Sequence, residues 1–313
     1  MKAFIFPGQG SQTIGMGRDI CDAFRCARDV FQEVDEALEQ NLMKTIFEGP
    51  EEDLVLTENA QPALMAVSLA VMRVLEKEGG IALSQTASYV AGHSLGQYSA
   101  LCAAGALSLS HTARLLKIRG RAMQEAVPLG QGAMAALLGL DLPMVEQIVS
   151  EAALKQVCEI ANDNSPGQVV ISGHREAIER AIEISKERGA KRSLLLNVSA
   201  PFHCVLMEPA QSPMEDALAE IIVKDPCVPL MDNLSADTTQ IGEDISALLI
   251  GQITGRVRWR ESIMRMAELG VTTTIEIGAG KVLTGLSKRI DPSLEAFSLN
   301  TPHDIEIFLK NHL

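Results

Sequence analysis

The sequence contains no uncharged apolar run long enough to cross a bilayer. Stretches such as Ala133 to Leu140 fall far short of the roughly 20 residues that a spanning helix needs. The N-terminus lacks both an apolar h-region and a small-residue cleavage site, so a cytoplasmic location is expected. Cysteine is sparse: the six residues, at 21, 26, 102, 158, 204 and 227, include no C-x-x-C pair and no dense spacing. Neither a disulfide framework nor a metal site is expected from them. Basic residues are also in deficit, 27 Lys and Arg against 40 Asp and Glu, which leaves a net charge of −13. Nucleic acid and anionic membranes both require a basic face, so neither is expected as a partner, and any anionic partner must dock on a local basic patch. What remains is a 313-residue chain, 47% hydrophobic, able to bury a large core as two domains or as one domain with an insertion.

The most informative stretch is Tyr89-Val90-Ala91-Gly92-His93-Ser94-Leu95-Gly96, an apolar run ending in Gly-x-Ser-x-Gly and followed by an Ala/Leu-rich segment. The pattern predicts strand, sharp turn and helix, the layout of a nucleophile elbow. Ser94 would then stand at a helix N-terminus, where free amide N–H groups and the helix dipole favour a developing oxyanion. A tight turn whose glycines serve only packing is the alternative. Lys2 to Phe6 reads as a buried strand entering Pro7-Gly8-Gln9-Gly10-Ser11-Gln12, which lacks the Gly-Lys-Ser/Thr ending of a phosphate loop. Gln9, between two glycines, either offers its N–H to a ligand or belongs to an ordinary loop.

Ala23 to Gln40 and Gln61 to Lys77 read as helices, the second apolar nearly all round. Ser110 is expected to cap a helix from about His111 to Gln124. On a 100° wheel Arg119 falls in the middle of that helix's apolar face, with Leu115, Leu116, Ala122 and Met123. A guanidinium there needs an anion, supplied either by an acid from elsewhere in the fold or by a substrate carboxylate. From Ala133 to Val198 the order is β-α-β-β-α-β, with the turn Asn164-Ser165-Pro166-Gly167 at its central hairpin, which predicts an inserted ferredoxin-like unit. His203 follows that unit in a loop after a strand and is the best placed of the six histidines to act as a base, a purely structural role being the alternative. The remaining strands and helices alternate to the C-terminus. They imply an α/β fold with a doubly wound, mostly parallel sheet, residues 1–127 and 199–313 forming a large domain and 128–198 the insertion.

Taken together, Phe6 to Gln12, Gly92 to Gly96, Arg119-Gly120-Arg121, Asn164 to Gln168, Ser199 to Cys204 and Gly278 to Leu283 resemble the malonyl-CoA:acyl carrier protein transacylases of fatty-acid synthesis. The resemblance implies a hydrolase-like domain carrying a ferredoxin-like insertion. It implies Ser94 as nucleophile, His203 as base, the backbone N–H groups of Gln9 and Leu95 as oxyanion hole, Arg119 as clamp on the malonyl carboxylate, and Gln252 as a backbone carbonyl that orients the histidine. A role confined to the main chain would leave the Gln252 side chain dispensable. Gln97 and Ala279 stand where many members have Glu and Pro, and neither is implied in the chemistry. Phe202 resembles malonyl-selective members more than methylmalonyl-selective ones. The implied partners are malonyl-CoA and phosphopantetheinylated acyl carrier protein, the chain acting as a monomer without metal or bound cofactor. An esterase or thioesterase with an acidic third member, and a catalytically silent carrier-protein binder, are the alternatives.

Overall fold

The computed structural model describes residues 1–312. Among them ten strands form: β1 (Lys2–Phe6), β2 (Tyr89–Gly92), β3 (Gly132–Leu138), β4 (Cys158–Ser165), β5 (Gln168–His174), β6 (Arg192–Leu195), β7 (Leu230–Met231), β8 (Thr238–Thr239), β9 (Thr273–Ile277) and β10 (Glu295–Leu299). The larger sheet has the order β10-β9-β1-β2-β7-β8, parallel throughout except for the closing β7–β8 hairpin. Parallel strands covered on both faces should read as unbroken apolar runs, and β1 does from Ala3 to Phe6. Phe4 and Phe6 face one core with the wholly buried middle of the helix Thr57–Lys77. Ala3 and Ile5 face a second core with Trp259, Ile263 and Met266.

The smaller sheet, β4-β5-β3-β6, is antiparallel throughout and comes from one continuous stretch of chain. Two helices, Leu142–Ala153 and Arg175–Glu187, cover it over a core of Leu137, Val145, Ile148, Ile171 and Ile178. This is the ferredoxin-like arrangement expected from the β-α-β-β-α-β order. Asp141 starts the first of these helices by accepting the Met144 N–H at 3.1 Å.

Several details differ from expectation. The helix expected over Ala23 to Gln40 spans Arg25–Leu38, its start set by Phe24, which is extended at φ −131° and ψ 120°, and a separate helix, Arg18–Ala23, precedes it. Ser108 and not Ser110 caps the helix Leu109–Glu125, accepting the His111 N–H at 3.2 Å, while Ser110 donates to Glu33. In the stretch Val228 to Asn233 only Leu230–Met231 is strand, and Asp232 and Asn233 are buried polar residues.

In a parallel sheet, ligand-binding loops gather at the carboxyl ends of the strands. Here β1 ends at the Pro7 to Gln12 loop and β2 ends at Ser94, on neighbouring strands in register from Ala3 with Tyr89 to Phe6 with Gly92. This close approach is possible only because Gly92 and Gly96 lack side chains. A Cβ on Gly92 would lie 1.9 Å from the Gly96 backbone, and one on Gly96 would lie 2.2 Å from the Phe6 carbonyl oxygen. Gly92→Ala should therefore cost about 3 kcal/mol or more of stability and lower the melting temperature by several degrees. Gly285, inside the helix Val282–Ile290, would have nothing within 4 Å of an added Cβ. Gly285→Ala should be neutral or stabilising by up to about 1 kcal/mol, so paired thermal melts distinguish close packing from glycine loss in general.

Candidate functional site

Ser94 stands between β2 and the helix Gly96–Ala103 with φ 53°, the left-handed region that a non-glycine residue seldom occupies. One side chain spans that strained turn. Ser94 donates its backbone N–H to Asn233 Oδ1 at 2.9 Å, and Asn233 Nδ2 donates to the Gly92 carbonyl at 2.8 Å. Asn233 is fully buried, so its amide serves the elbow and not solvent.

His203 Nε2 lies 2.7 Å from Ser94 Oγ. Its other nitrogen, Nδ1, lies 2.9 Å from the Gln252 carbonyl and 3.1 Å from the Gly255 carbonyl. Carbonyls only accept, so Nδ1 carries the proton, Nε2 is bare, and the serine hydroxyl donates to it. Among the described residues no carboxylate takes the third place of a serine triad. Burial, with the positive charge of Arg119 second, pushes the His203 pKa down to about 3, so the ring is neutral and available as a proton acceptor. His203 is itself held at φ 58°.

Arg119 is 1% exposed. Among the described residues it forms no ion pair. Its partners are uncharged: Nη1 donates to Gln61 Oε1 at 2.9 Å, and Nη2 donates to Gln252 Oε1 at 3.0 Å and to Ser94 Oγ at 3.2 Å. The Tyr98 ring lies below, its centroid 5.6 Å from the guanidinium carbon, and Nε has no partner. Of the two counter-ions that the helical wheel left open, no acid from the described fold is present. The fork stands charged, desolvated and beside Ser94.

The Gln252 side chain does more than its expected main-chain role. It is fully buried, its Oε1 holds Arg119, and its Nε2 donates to the Ser94 carbonyl, Asn233 Oδ1 and Gln97 Oε1 at 3.1 to 3.2 Å. Gln97 in turn donates to Asp232 Oδ1 at 3.0 Å and accepts the Asn233 N–H at 3.0 Å. One amide network thus joins the elbow, Arg119 and the segment whose carbonyls face His203. Sequence reasoning missed Gln61, Asn233, the Gly255 carbonyl and this use of Gln252 and Gln97. The available signal was polar residues set among apolar runs at strand and helix ends, as in Met231-Asp232-Asn233.

The N–H groups of Gln9 and Leu95 have no protein acceptor among the described residues, and both lie at the strand ends that carry Ser94. A cavity of about 400 Å³ opens beside His203, lined by Glu146, Cys158, Glu159, Thr254 and Arg256 among others. Among the described residues no three His, Cys, Asp or Glu side chains group as metal ligands would, and no helix is long and apolar enough to cross a membrane. All six cysteines are free thiols.

Residues 3–290 match the family described as the acyl transferase domain. The chain is 46% identical over 309 residues to the malonyl CoA-acyl carrier protein transacylase of Bacillus subtilis strain 168, covering 98% of this chain and 96% of that one. It is 46% identical over 300 residues to the enzyme of the same name from Escherichia coli K12, covering 96% of each. Among solved structures it is similar to the acyl-carrier-protein S-malonyltransferase from Bartonella henselae, with a TM-score of 0.97, 54% identity and coverage of 99% and 98%. It is also similar to a chain of a solved complex between a type II PKS acyl-carrier protein and its malonyl-transacylase, with a TM-score of 0.96, 43% identity and 99% coverage of each chain.

Two measurements test the local chemistry. The folded His203 takes up a proton near pH 3 and the unfolded one near 6.5. Its contribution to stability is therefore complete above about pH 6.5 and is lost as the pH falls toward 3. The rate at which a fluorophosphonate modifies Ser94 should stay level from pH 8 down to about 5, whereas a falling limb near 6.5 would mean an ordinary histidine. Gln252→Ala should slow the same reaction by about tenfold or more, since it unties both Arg119 and the elbow. A change within about threefold would restore the main-chain-only role.

Proposed function

The chain belongs to the acyltransferase family and within it to the malonyl CoA-acyl carrier protein transacylases, and on that premise we propose how it moves a malonyl group between thiols. The malonyl group of malonyl-CoA passes to Ser94 as an ester and then to the phosphopantetheine thiol of an acyl carrier protein, supplying the extension unit of fatty-acid synthesis. In this ping-pong scheme His203 Nε2 takes the Ser94 proton as Oγ attacks the thioester carbonyl. The tetrahedral oxyanion is received by the N–H groups of Gln9 and Leu95, and CoA leaves as the thiol with the proton returned by His203. The carrier thiol then gives its proton to His203, attacks the ester and regenerates the serine. The carbonyls of Gln252 and Gly255 stabilise the transient imidazolium in place of a carboxylate. The reading calls for no metal or bound cofactor, and treats the chain as a cytoplasmic monomer with residues 128–198 inserted into the catalytic body 1–127 and 199–313.

The observation that carries the malonyl assignment is the Arg119 guanidinium, buried without an acidic partner 3.2 Å from the nucleophile. A planar fork in that position is matched by a carboxylate one methylene away from the reacting carbonyl, which malonyl offers and acetyl does not. The position of carbonyl acceptors at His203 Nδ1 also favours transfer over the triad hydrolysis considered from the sequence.

Incubation with a mixture of acyl-CoAs, read by intact mass, should give a malonylated protein, and Ser94→Ala should give none. Arg119→Ala removes a desolvated charge-assisted contact worth about 2–5 kcal/mol, so malonyl transfer should fall by roughly 30- to 5,000-fold. Acetyl transfer should hold or rise, and Arg119→Lys should rescue malonyl transfer only in part. A folded Arg119→Ala that lost both activities equally would make Arg119 structural and remove the malonyl assignment.

A further inference from the structure

His203 takes the part of base, which leaves His93, the residue immediately before Ser94, unexplained. Its Nε2 lies 2.8 Å from Asn164 Oδ1. Asn164 is a buried residue of β4, in the inserted sheet, so this contact crosses from the small unit to the elbow. An amide oxygen only accepts, so Nε2 carries the proton and Nδ1 is bare. The bare side packs against the loop after β1. A Cβ on Gly8 would lie 3.0 Å from His93 Nδ1 and 2.7 Å from the His93 carbonyl oxygen, so the Gly8 backbone rests directly on this residue. The ring also lies against Trp259, with centroids 5.6 Å apart, and the His93 N–H donates to the Phe6 carbonyl at 3.0 Å.

Asn164 is itself firmly placed. On the same strand, Asp163 pairs with Arg260 at 2.8 Å, and Val257 exchanges backbone hydrogen bonds with Ala161 and Asp163 at 2.8 and 3.0 Å. Arg260 and Val257 belong to the large domain. The strand that carries Asn164 is therefore fixed to the body that carries Ser94.

We propose that His93, fixed by Asn164 of the inserted unit, is a positioning residue that sets the Gly8–Gln9 backbone over Ser94. This rests on the reading above, in which the Gln9 N–H receives the oxyanion. The inserted unit would then contribute to the chemical step. Loss of the spacer should displace the donor from the transition state while leaving ground-state binding of the acyl-CoA unchanged.

The test follows Ser94 malonylation by intact mass in single-turnover experiments across malonyl-CoA concentrations, for wild type, Asn164→Ala, His93→Ala and the double variant, with thermal melts alongside. Each single variant should lower the maximal rate by about tenfold to a hundredfold, with the half-saturating concentration unchanged within about threefold. The double variant should be no slower than His93→Ala, because both changes break one chain of contacts. A loss below about fivefold, a change confined to half-saturation, or losses that multiply in the double variant would each overturn the proposal. If His93→Ala does not fold, the split between maximal rate and half-saturation in Asn164→Ala decides by itself. A wild type that takes up no malonyl group would remove the acyl-transfer reading and this inference with it, whereas a wild type that acylates beside indifferent variants would remove the inference alone.

Discussion

The site depends on one uncompensated charge. Transferring a guanidinium out of water costs several kcal/mol even after relaxation, and a protein normally offsets that cost with a carboxylate. Around Arg119 the chain supplies two glutamine oxygens, a serine hydroxyl and an aromatic face instead. These satisfy hydrogen-bond donors without neutralising the charge. The resting protein therefore holds an electrostatic deficit beside Ser94, which an acyl group bearing its own carboxylate would fill. The same charge also disfavours protonation of His203, so the two side chains are electrically coupled.

Such a charge is useful only if its geometry is fixed, and two backbone positions show what fixing it involves. Ser94 and His203 both sit at positive φ, a conformation costing of order 1–3 kcal/mol each that persists only when neighbours over-determine it. For Ser94 the neighbours are Asn233 on both sides of the turn and Gln252 on its carbonyl. For His203 they are two carbonyls at the end of the helix Gly242–Gly251 and just beyond it. Gln252 serves both and also holds Arg119. A buried network of this kind is rigid when every member is satisfied and fails broadly when one is not.

Much of this was legible in the sequence, and the reason is periodicity. β1 announces itself as an apolar run because it is covered on both faces, and the helix Leu109–Glu125 puts Arg119 visibly out of place on an apolar stripe. The Gly-x-Ser-x-Gly turn is legible because only glycine permits the backbone approach at positions 92 and 96. The connections of the amide network were not legible. Gln61, Gln97, Asn233 and Gln252 are separated by up to 191 positions, and a polar residue set in an apolar run can signal burial without naming its partners. The preceding helix Arg18–Ala23 also escaped, because six residues are too few to show a period, and the break after it lies in one extended dihedral pair at Phe24.

The order of the larger sheet has a consequence for synthesis of the chain. β1 lies in the interior of the sheet, between β2 and β9, yet its partners at Thr273 to Thr274 and beyond are made some 270 residues later. At translation rates of about 5–20 residues per second, one hydrogen-bonding edge of this largely apolar strand waits roughly 10–50 seconds for its neighbour. During that interval the nascent chain carries an exposed template for intermolecular strand pairing. The arrangement that brings the Gly8 loop against the serine turn therefore makes expression of this chain depend on how well the open edge is shielded while it grows.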